Sequence, residues 1–539
     1  MQFNLIDERW IPVIRRDGTK TVIAPWEVTE QFKENPVVAL DAPRPDFNGA
    51  LIQFLIGLVQ MVAAPQNNTE WRKKLIDPPK PDELKKMFAT VHHAFEFGGD
   101  GPRFMQDYEE LDGQPASIAT LLIAEPGENA LKNNTDFFIK RSPTNYLMCP
   151  ACNAAAVLTL QMNAPAGGRG YMTSLRGGGP LTTLIKGLGR HDLLWHTIWL
   201  NVIELTKFNN LANAQLDEEA YKYPWLSKTK KVITEQQMHP AQYFWAMPRR
   251  ISLIQEISHG RCNLCGCESD KLISQYKEKP NGIKYQEPMK HPLSAFNVNS
   301  TKAVLTQPGG VGYRHWLGLV VSDNDGKNEP ARVIHEYIEH RKKDDWPMQL
   351  WAFGYDFVSG QNKVRCWYES TMPLLFADAE YRLAYELHIA GMIRAAIEIG
   401  RNTRSALKKA WFKRPGDSKG DMSFVDNSFW QATEPDFYSA LHALRTELET
   451  GNNVQTLNNQ WLSVICKQSL NLFDNYVWEG PIEDADPKRV VIARKELEQY
   501  NKGKKIKEIL GLPVEKSATD KKIKAKKEKN LKTKEQLTL

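Results

Sequence analysis

From Asp378 onward the chain carries apolar residues at three-and-four spacing, and this pattern limits the available folds more than any other feature. Leu383, Leu387, Ala390, Ile393 and Ile397 recur along a stretch with few breakers, Asp378 to Phe412, as the buried stripe of one long helix does. A second helix is expected from Thr433, whose hydroxyl can cap free amides while Pro435 fits the first turn; it presents Phe437, Leu441, Leu444 and Leu448. Val454, Leu457, Trp461, Ile465 and Leu472 align on a third, and Asp486-Pro487 opens a fourth that runs through Val490 and Leu497 to about Tyr500. Four amphipathic helices in about 120 residues shield their stripes only by packing together. Residues 378–500 are therefore predicted to form a four-helix bundle.

The preceding 377 residues read differently. Phe3–Leu5, Val13–Arg15 and Thr21–Ile23 suit strands, the last two joined at Asp17-Gly18, a dipeptide fitted to a tight hairpin. Helical runs at Asn48–Ala64, Asp82–Phe97, Ala154–Met162 and Leu194–Leu205 follow, and short strand-like runs such as Leu317–Ser322 mix with turn clusters between Cys262 and Arg365. The fold class is α+β: a large mixed N-terminal domain (1–377), the bundle (378–500) and a tail (501–539). The apolar run Leu51–Ala64 is interrupted by Gln53 and Gln60 and falls short of the ~20 residues of a bilayer span, so it is expected to be a buried helix. Asp7, Glu8 and Arg9 stand where a secretory signal needs an apolar core, and a cytoplasmic protein with no membrane partner is expected.

The net charge of +6 is unevenly spread. Residues 501–539 hold 13 lysines against five acids, which leaves −2 for residues 1–500. Nucleic-acid contact by the body must then come from local patches. The tail is either a solvated disordered segment or a polyanion contact driven by counterion release.

Seven cysteines include two close pairs, Cys149-Pro-Ala-Cys152 and Cys262-Asn-Leu-Cys265, with Cys267 two residues further on. Two such turns can place four thiolates tetrahedrally about Zn²⁺, leaving no open position for activating water, so the site is structural. Unrelated free thiols are the alternative; Cys267 can substitute for Cys265 in the set, although Cys262-Asn-Leu-Cys265-Gly is the better knuckle. Cys366 and Cys466 lie in apolar contexts and are expected to be buried. Catalytic patterns fail on spacing. His335 and His340 are five apart, which turns them about 140° around a helix instead of onto one face. Gly189-Arg190-His191-Asp192 lacks further ligands, and no phosphate-binding loop or nucleophile elbow is present. Ala164–Pro180 carries six glycines and two arginines. Its chemistry suits a turn-rich connector and a close backbone contact to a phosphate or groove equally.

Leu5-Ile-Asp-Glu-Arg-Trp-Ile-Pro-Val13, the Ser-Leu-Arg-Gly-Gly loop, both Cys pairs, and Gly354-Tyr-Asp356 followed by Arg365-Cys-Trp-Tyr-Glu369 together resemble CasA, the family of large subunits of type I-E CRISPR Cascade, over roughly residues 1–500. The resemblance implies a subunit that is not an enzyme. It reads the protospacer-adjacent motif of foreign duplex DNA from the minor groove, starts strand separation, and helps recruit the helicase-nuclease. The implied motif contacts are Gly167, Gly168, Arg169 and Gly170 with Lys279, Lys277 being the alternative one register away. The implied wedge hairpin spans Phe357–Lys363 with Gly360, Gln361 and Asn362 at its tip, and Phe138, Lys140 and Arg141 are implied contacts of the guide-RNA handle and motif region. Other Cascade subunits (backbone, small and guide-handle-binding), the CRISPR guide RNA and target duplex are the implied partners, with zinc at Cys149, Cys152, Cys262 and Cys265. A metal-dependent nuclease in the same complex and a purely structural scaffold are the competing functions.

Overall fold

The computed structural model describes residues 2–126, 142–143, 145–168, 170–255, 258–286, 289–300, 302–306, 309–323, 327–341, 346–358, 364–417, 420–479 and 486–514. Two compact units are present, one built from residues 1–311 and 315–374, the other from residues 312–314 and 375 onward.

The first unit opens with a three-stranded antiparallel sheet. Strands β1 (Ile11–Arg15), β2 (Lys20–Ile23) and β3 (Val37–Leu40) are ordered β2-β1-β3. The hairpin turns at Gly18, whose φ of 86° suits the dipeptide chosen from the sequence. Phe3–Leu5 is not a strand: Asn4 alone forms a bridge, with Glu96. Helix α1 (Pro45–Val62) begins on a proline at its first turn and buries Leu51, Phe54, Leu55, Leu58 and Val59 almost completely. It is long and apolar enough to cross a membrane, but 78% of its apolar window lies inside the fold. The two glutamines that interrupt the run are absorbed by hydrogen bonds, Gln53 Nε2 to Gly49 O at 2.7 Å and Gln60 Nε2 to Ile203 O at 2.9 Å, because a buried amide without partners is costly.

Helix α2 (Pro150–Asn163) packs against α1 and is buried on nearly every side. Next come strand β4 (Thr182–Gly187), strand β5 (Arg250–Leu253), the hairpin β6 (Ser258–Arg261) and β7 (Glu268–Leu272), and strand β8 (Gln275–Lys279). β8 lies between β5 and the short strand Ala116–Ser117. The long strands β9 (Met348–Phe357) and β10 (Val364–Pro373) form an antiparallel hairpin whose β9 side pairs with β4. Leu317–Ser322 is not a strand. Gly318 sits at φ 89° and the chain makes a short turn that buries Trp316, a conformation incompatible with extension. Cys366 is exposed, correcting the expected burial. Apolar neighbours in sequence alternate faces on a strand, and β10 is the sheet's edge.

The second unit holds four long helices: α3 (Arg382–Trp411), α4 (Ser423–Glu449), α5 (Val454–Glu479) and α6 (Pro487–Asn501). α3 touches each of the others, α4 packs on α5, and α5 on α6. Three details differ from the sequence expectation. Leu383 and Leu387 are exposed at 68% and 54%, and the buried stripe of α3 runs instead through Tyr385, Ile389, Met392, Ile393, Ala396 and Ile399. α4 begins ten residues before Thr433, so Pro435 lies inside it. The helix tolerates this because Pro435 and Gln431, whose carbonyl loses its partner four residues on, both face solvent. Thr433 donates instead to Phe429 O at 2.8 Å and meets the Tyr313 hydroxyl at 2.8 Å. Finally, the fold does not stop at residue 500. A short helix α7 (Lys504–Ile509) packs on α3 and buries Ile506, with Leu510 and Leu512 also buried, so the first part of the expected tail is folded. The cap expected at α6 is present, the Asp486 carboxylate accepting from Lys488 N at 3.0 Å and Arg489 N at 3.3 Å.

Candidate nucleic-acid interface and metal centre

The four cysteines of the two close pairs converge, all four sulfur atoms lying within 4.8 Å of one another. Cys149 occupies the N-cap position of α2 and Cys152 stands in its first turn, where Pro150 costs no hydrogen bond. Cys262 and Cys265 come from the turn between β6 and β7. There Cys262 N donates to Cys267 O at 2.8 Å and Gly266 N to Cys262 O at 3.0 Å. Reciprocal bonds join the two halves. Leu147 N donates to Asn263 Oδ1 at 2.7 Å, Asn263 N to Leu147 O at 2.9 Å, and Cys149 N to Cys262 Sγ at 3.4 Å.

Cys149 Sγ and Cys265 Sγ are 3.7 Å apart, matching the ~3.8 Å edge of a tetrahedron with Zn–S bonds of ~2.3 Å. Four thiolates cannot coexist at this spacing without a cation. Hydrogen bonds from Cys149, Cys152 and Cys265 hold the Cys262 thiol far below its ordinary range, and those from Cys149 and Cys152 bring Cys265 down to about 6. Hydrogen bonds to Cys149, Cys262 and Cys265, with burial, push Cys152 up.

From this knot two elements extend. α2, 14 residues and so about 21 Å long, ends at the glycine-rich loop. The hairpin β6–β7 runs on into β8, which ends at Lys279. Their far ends meet. Asn281 N donates to Gly170 O at 2.7 Å, and a Cβ added to Gly170 would lie 2.8 Å from Pro280 Cβ. Gly170 has φ 86°, so only glycine combines that turn with so close an approach. Gln161 near the end of α2 exchanges bonds with the Arg249 backbone, Nε2 to O and N to Oε1 both at 2.9 Å. The Arg249 guanidinium donates to Pro165 O and lies 5.2 Å over the Tyr171 ring.

Lys279 pairs in register with Arg250 and stands 3.6 Å from Asp112, both side chains exposed. Such an ion pair is weak and readily exchanged for a phosphate or base edge. Lys277 lies on the same strand face, two residues further from the loop. Gly167 and Gly168 are at the start of the loop, and Gly168 has open space around it.

The loop's second glycine run touches the long hairpin. A Cβ on Gly179, at φ 68°, would clash with the Phe357 ring and lie 2.7 Å from Tyr355 O. Between these two contacts Arg176 turns inward and is buried. It donates to Thr182 Oγ1 at 2.9 Å, Ser294 Oγ at 3.0 Å and Gln53 Oε1 at 2.8 Å. Burial among neutral acceptors brings its pKa down to about 9. The hairpin base is fixed by Tyr355, whose hydroxyl donates to Asp46, itself held by Arg44 at 2.9 Å, and by buried Asp356, which accepts from Arg365 at 2.9 and 2.6 Å. Phe357 and Val364 form the last described pair of the ladder. The tip residues Gly360, Gln361 and Asn362 lie outside the described residues, as do Arg169, Phe138, Lys140 and Arg141.

Sequence reading missed Arg176 as an inward anchor, and Arg249 and Asn281 altogether. Arg249 had no local signal. It is adjacent to Arg250, which pairs with Asp107, and it stands just before β5, outside the strand's alternation.

Residues 4–472 match the family described as CRISPR-associated protein Cse1. Solved structures of similar fold include Cse1 of Thermobifida fusca, with 15% identity over 95% of this chain and 99% of that one and a TM-score of 0.70. CasA of Thermus thermophilus has 16% identity over 95% and 100%, with a TM-score of 0.64. A chain in a structure titled "CRISPR RNA-guided surveillance complex" has 15% identity over 92% and 100%, with a TM-score of 0.66. With a family match spanning most of its length and the same fold throughout, this chain belongs to the CRISPR-associated protein Cse1 family, also called CasA.

Proposed function

We propose that the chain is the non-catalytic large subunit of a type I-E Cascade complex in the cytoplasm. It reads the protospacer-adjacent motif of foreign duplex DNA from the minor groove with the loop at Gly167–Gly170 and Lys279. It then begins strand separation with the hairpin tip at Gly360–Asn362, and helps recruit the helicase-nuclease. The observation that carries this reading is the meeting of Gly170 with Asn281. Two segments more than a hundred residues apart, each bearing an expected motif contact, join through a backbone hydrogen bond of 2.7 Å. The same loop touches the wedge hairpin through Gly179 and Phe357, so motif contact and strand opening share one support.

Minor-groove contact suits a glycine backbone, which is narrow, and the degenerate A·T pattern there favours tolerance of several motif variants. Insertion of a hairpin beside the motif offsets unstacking, which costs a few kcal/mol per step, with contacts to the parted strands. Guide pairing then continues the opening. The similar chain in a structure titled as an RNA-guided surveillance complex supports guide RNA and the backbone, small and guide-handle-binding subunits as partners. Phe138, Lys140 and Arg141 are assigned to the handle, in a loop whose far end is bonded to the cysteine knuckle at Leu147. The C-terminal helices are read as a four-helix bundle that docks neighbouring subunits.

Cys149, Cys152, Cys262 and Cys265 would hold Zn²⁺, which supplies structural cross-linking with no open coordination position. Its effect on function is positional, since it fixes the near ends of α2 and of the β6–β7–β8 segment. A non-catalytic role is supported by the state of the His-Asp pair. His191 stacks on Trp346 at 3.8 Å, and Asp192 is 3.2 Å from Lys186. Among the described residues the four cysteines are the group suited to a metal.

The test is binding by the reconstituted complex. Lys279→Ala should weaken binding to motif-bearing duplex by about tenfold, or about 1.4 kcal/mol, with little change on duplex lacking the motif. Equal loss on both would make Lys279 a general phosphate contact.

A further inference from the structure

The knuckle has five thiols for four coordination positions, and the geometry points to Cys267 as a second resident ligand that exchanges with Cys265 at the fourth position of the metal site. This rests on reading the cysteine cluster as a zinc site. Cys149, Cys152 and Cys262 are buried, whereas Cys265 and Cys267 are both exposed, and an open groove of about 660 Å³ beside Trp10 and Phe47 is lined by Cys149 and Cys152 as well as by these two exposed cysteines. Three ligands are thus fixed inside the fold and the fourth lies at its edge. At that edge two sulfurs stand side by side, Cys265 Sγ being 3.3 Å from Cys267 Sγ.

The backbone holds Cys267 there. Its carbonyl accepts from Cys262 N at 2.8 Å, Gly266 turns the chain back at φ 76°, and Arg261 Nε donates to Gly266 O at 2.8 Å. The separation of the two sulfurs is close to the distance a side-chain rotation moves a sulfur atom. In the exchange one zinc–sulfur bond to Cys265 breaks and one to Cys267 forms. The proton on the Cys267 thiol passes to the departing Cys265 sulfur, and no electron is transferred. The knuckle thereby keeps its metal when an electrophile takes one exposed sulfur.

The test uses the full chain as wild type, Cys265→Ser, Cys267→Ser and the double variant. Each is analysed for metal content after gel filtration and, with Co²⁺ in place of Zn²⁺, for its thiolate-to-cobalt absorption. Both single variants should keep one metal per chain with the wild-type four-thiolate spectrum. The double variant should show a three-thiolate spectrum and lose metal to a chelator that leaves the single variants loaded. A folded Cys265→Ser protein with the same three-thiolate spectrum as the double variant overturns the proposal. Should Cys265→Ser fail to fold, the metal-loaded wild type is treated with iodoacetamide and mapped. Label divided between Cys265 and Cys267 supports exchange, and label on Cys267 alone overturns it. A folded wild type that carries no metal removes the zinc reading itself, an outcome distinct from a zinc-loaded wild type whose Cys265→Ser variant falls to three thiolates.

Discussion

Single residues do separable work in the glycine-rich loop. Gly168 and Gly170 both have positive φ, at 94° and 86°, but an added Cβ meets nothing at Gly168 and meets Pro280 at 2.8 Å at Gly170. Alanine at Gly168 should cost only the backbone term of about 1–2 kcal/mol. Alanine at Gly170 should cost more, because Pro280 and Asn281 must give way, and it should displace the loop from Lys279. Chemical denaturation of both variants, followed by motif-duplex binding by the assembled complex, checks this. Equal stability and equal binding in the two would show that the Gly170–Asn281 contact positions nothing. Arg176 represents the opposite case, a cation held by three neutral acceptors. Arg176→Met should be tolerated better than Arg176→Ala, since methionine replaces volume without leaving a charge to solvate, while alanine leaves a cavity.

At the scale of elements, the hairpin β9–β10 is a stem anchored by Tyr355–Asp46 and Asp356–Arg365, and its proposed action lies at its tip. Replacing Gly360, Gln361 and Asn362 together by alanine should impair R-loop formation on fully paired target and largely spare binding to a target already unpaired beside the motif. Equal loss on both substrates would withdraw the wedge assignment. Helix α2 and the β6–β7–β8 segment work as two struts from one knot. Cys149→Ser or Cys262→Ser should therefore lose about one Zn²⁺ per chain, together with solubility and motif binding. Metal analysis of the folded variants against wild type decides this, and an unchanged metal content would reject the four-cysteine site.

Across the whole first unit, stability is coupled to pH through buried histidines. Burial pulls His196 and His239 down to about 4 and His291 well below its ordinary 6.5. All three are thus neutral in the folded protein, while the unfolded chain takes up protons near 6.5. Their contribution is fully present above about pH 6.5 and is lost as the pH falls toward 4, at up to about 1.4 kcal/mol per pH unit for each histidine. Melting temperature should fall steadily from pH 7 to pH 5 with bound zinc followed in parallel. A flat profile with zinc retained would show that these imidazoles are solvated in the folded state.

What the sequence determined by itself is local: the helical periodicity after residue 378, the cap at Asp486-Pro487, the turn at Gly18, the cysteine pairs and the glycine-rich loop. Each depends on residues within about a helical turn or a hairpin of one another, where spacing translates directly into geometry. The motif resemblance placed the chain in its family for the same reason, since its residues lie in short runs. Tertiary structure alone decided which sides of those elements meet what. Leu383 and Leu387 fit the apolar period of α3 yet face outward, because a helix has one period but its buried arc is chosen by its neighbours. Pro435 reads as a helix start, but it lies mid-helix, where the Gln431 carbonyl it leaves without a partner is on the solvent-exposed side. The burial of Arg176, the contact of Arg249 with Tyr171 and the seating of Gly170 on Asn281 join segments 78 to 123 residues apart. No local spacing encodes such contacts, because they form only when the whole first unit closes around α1.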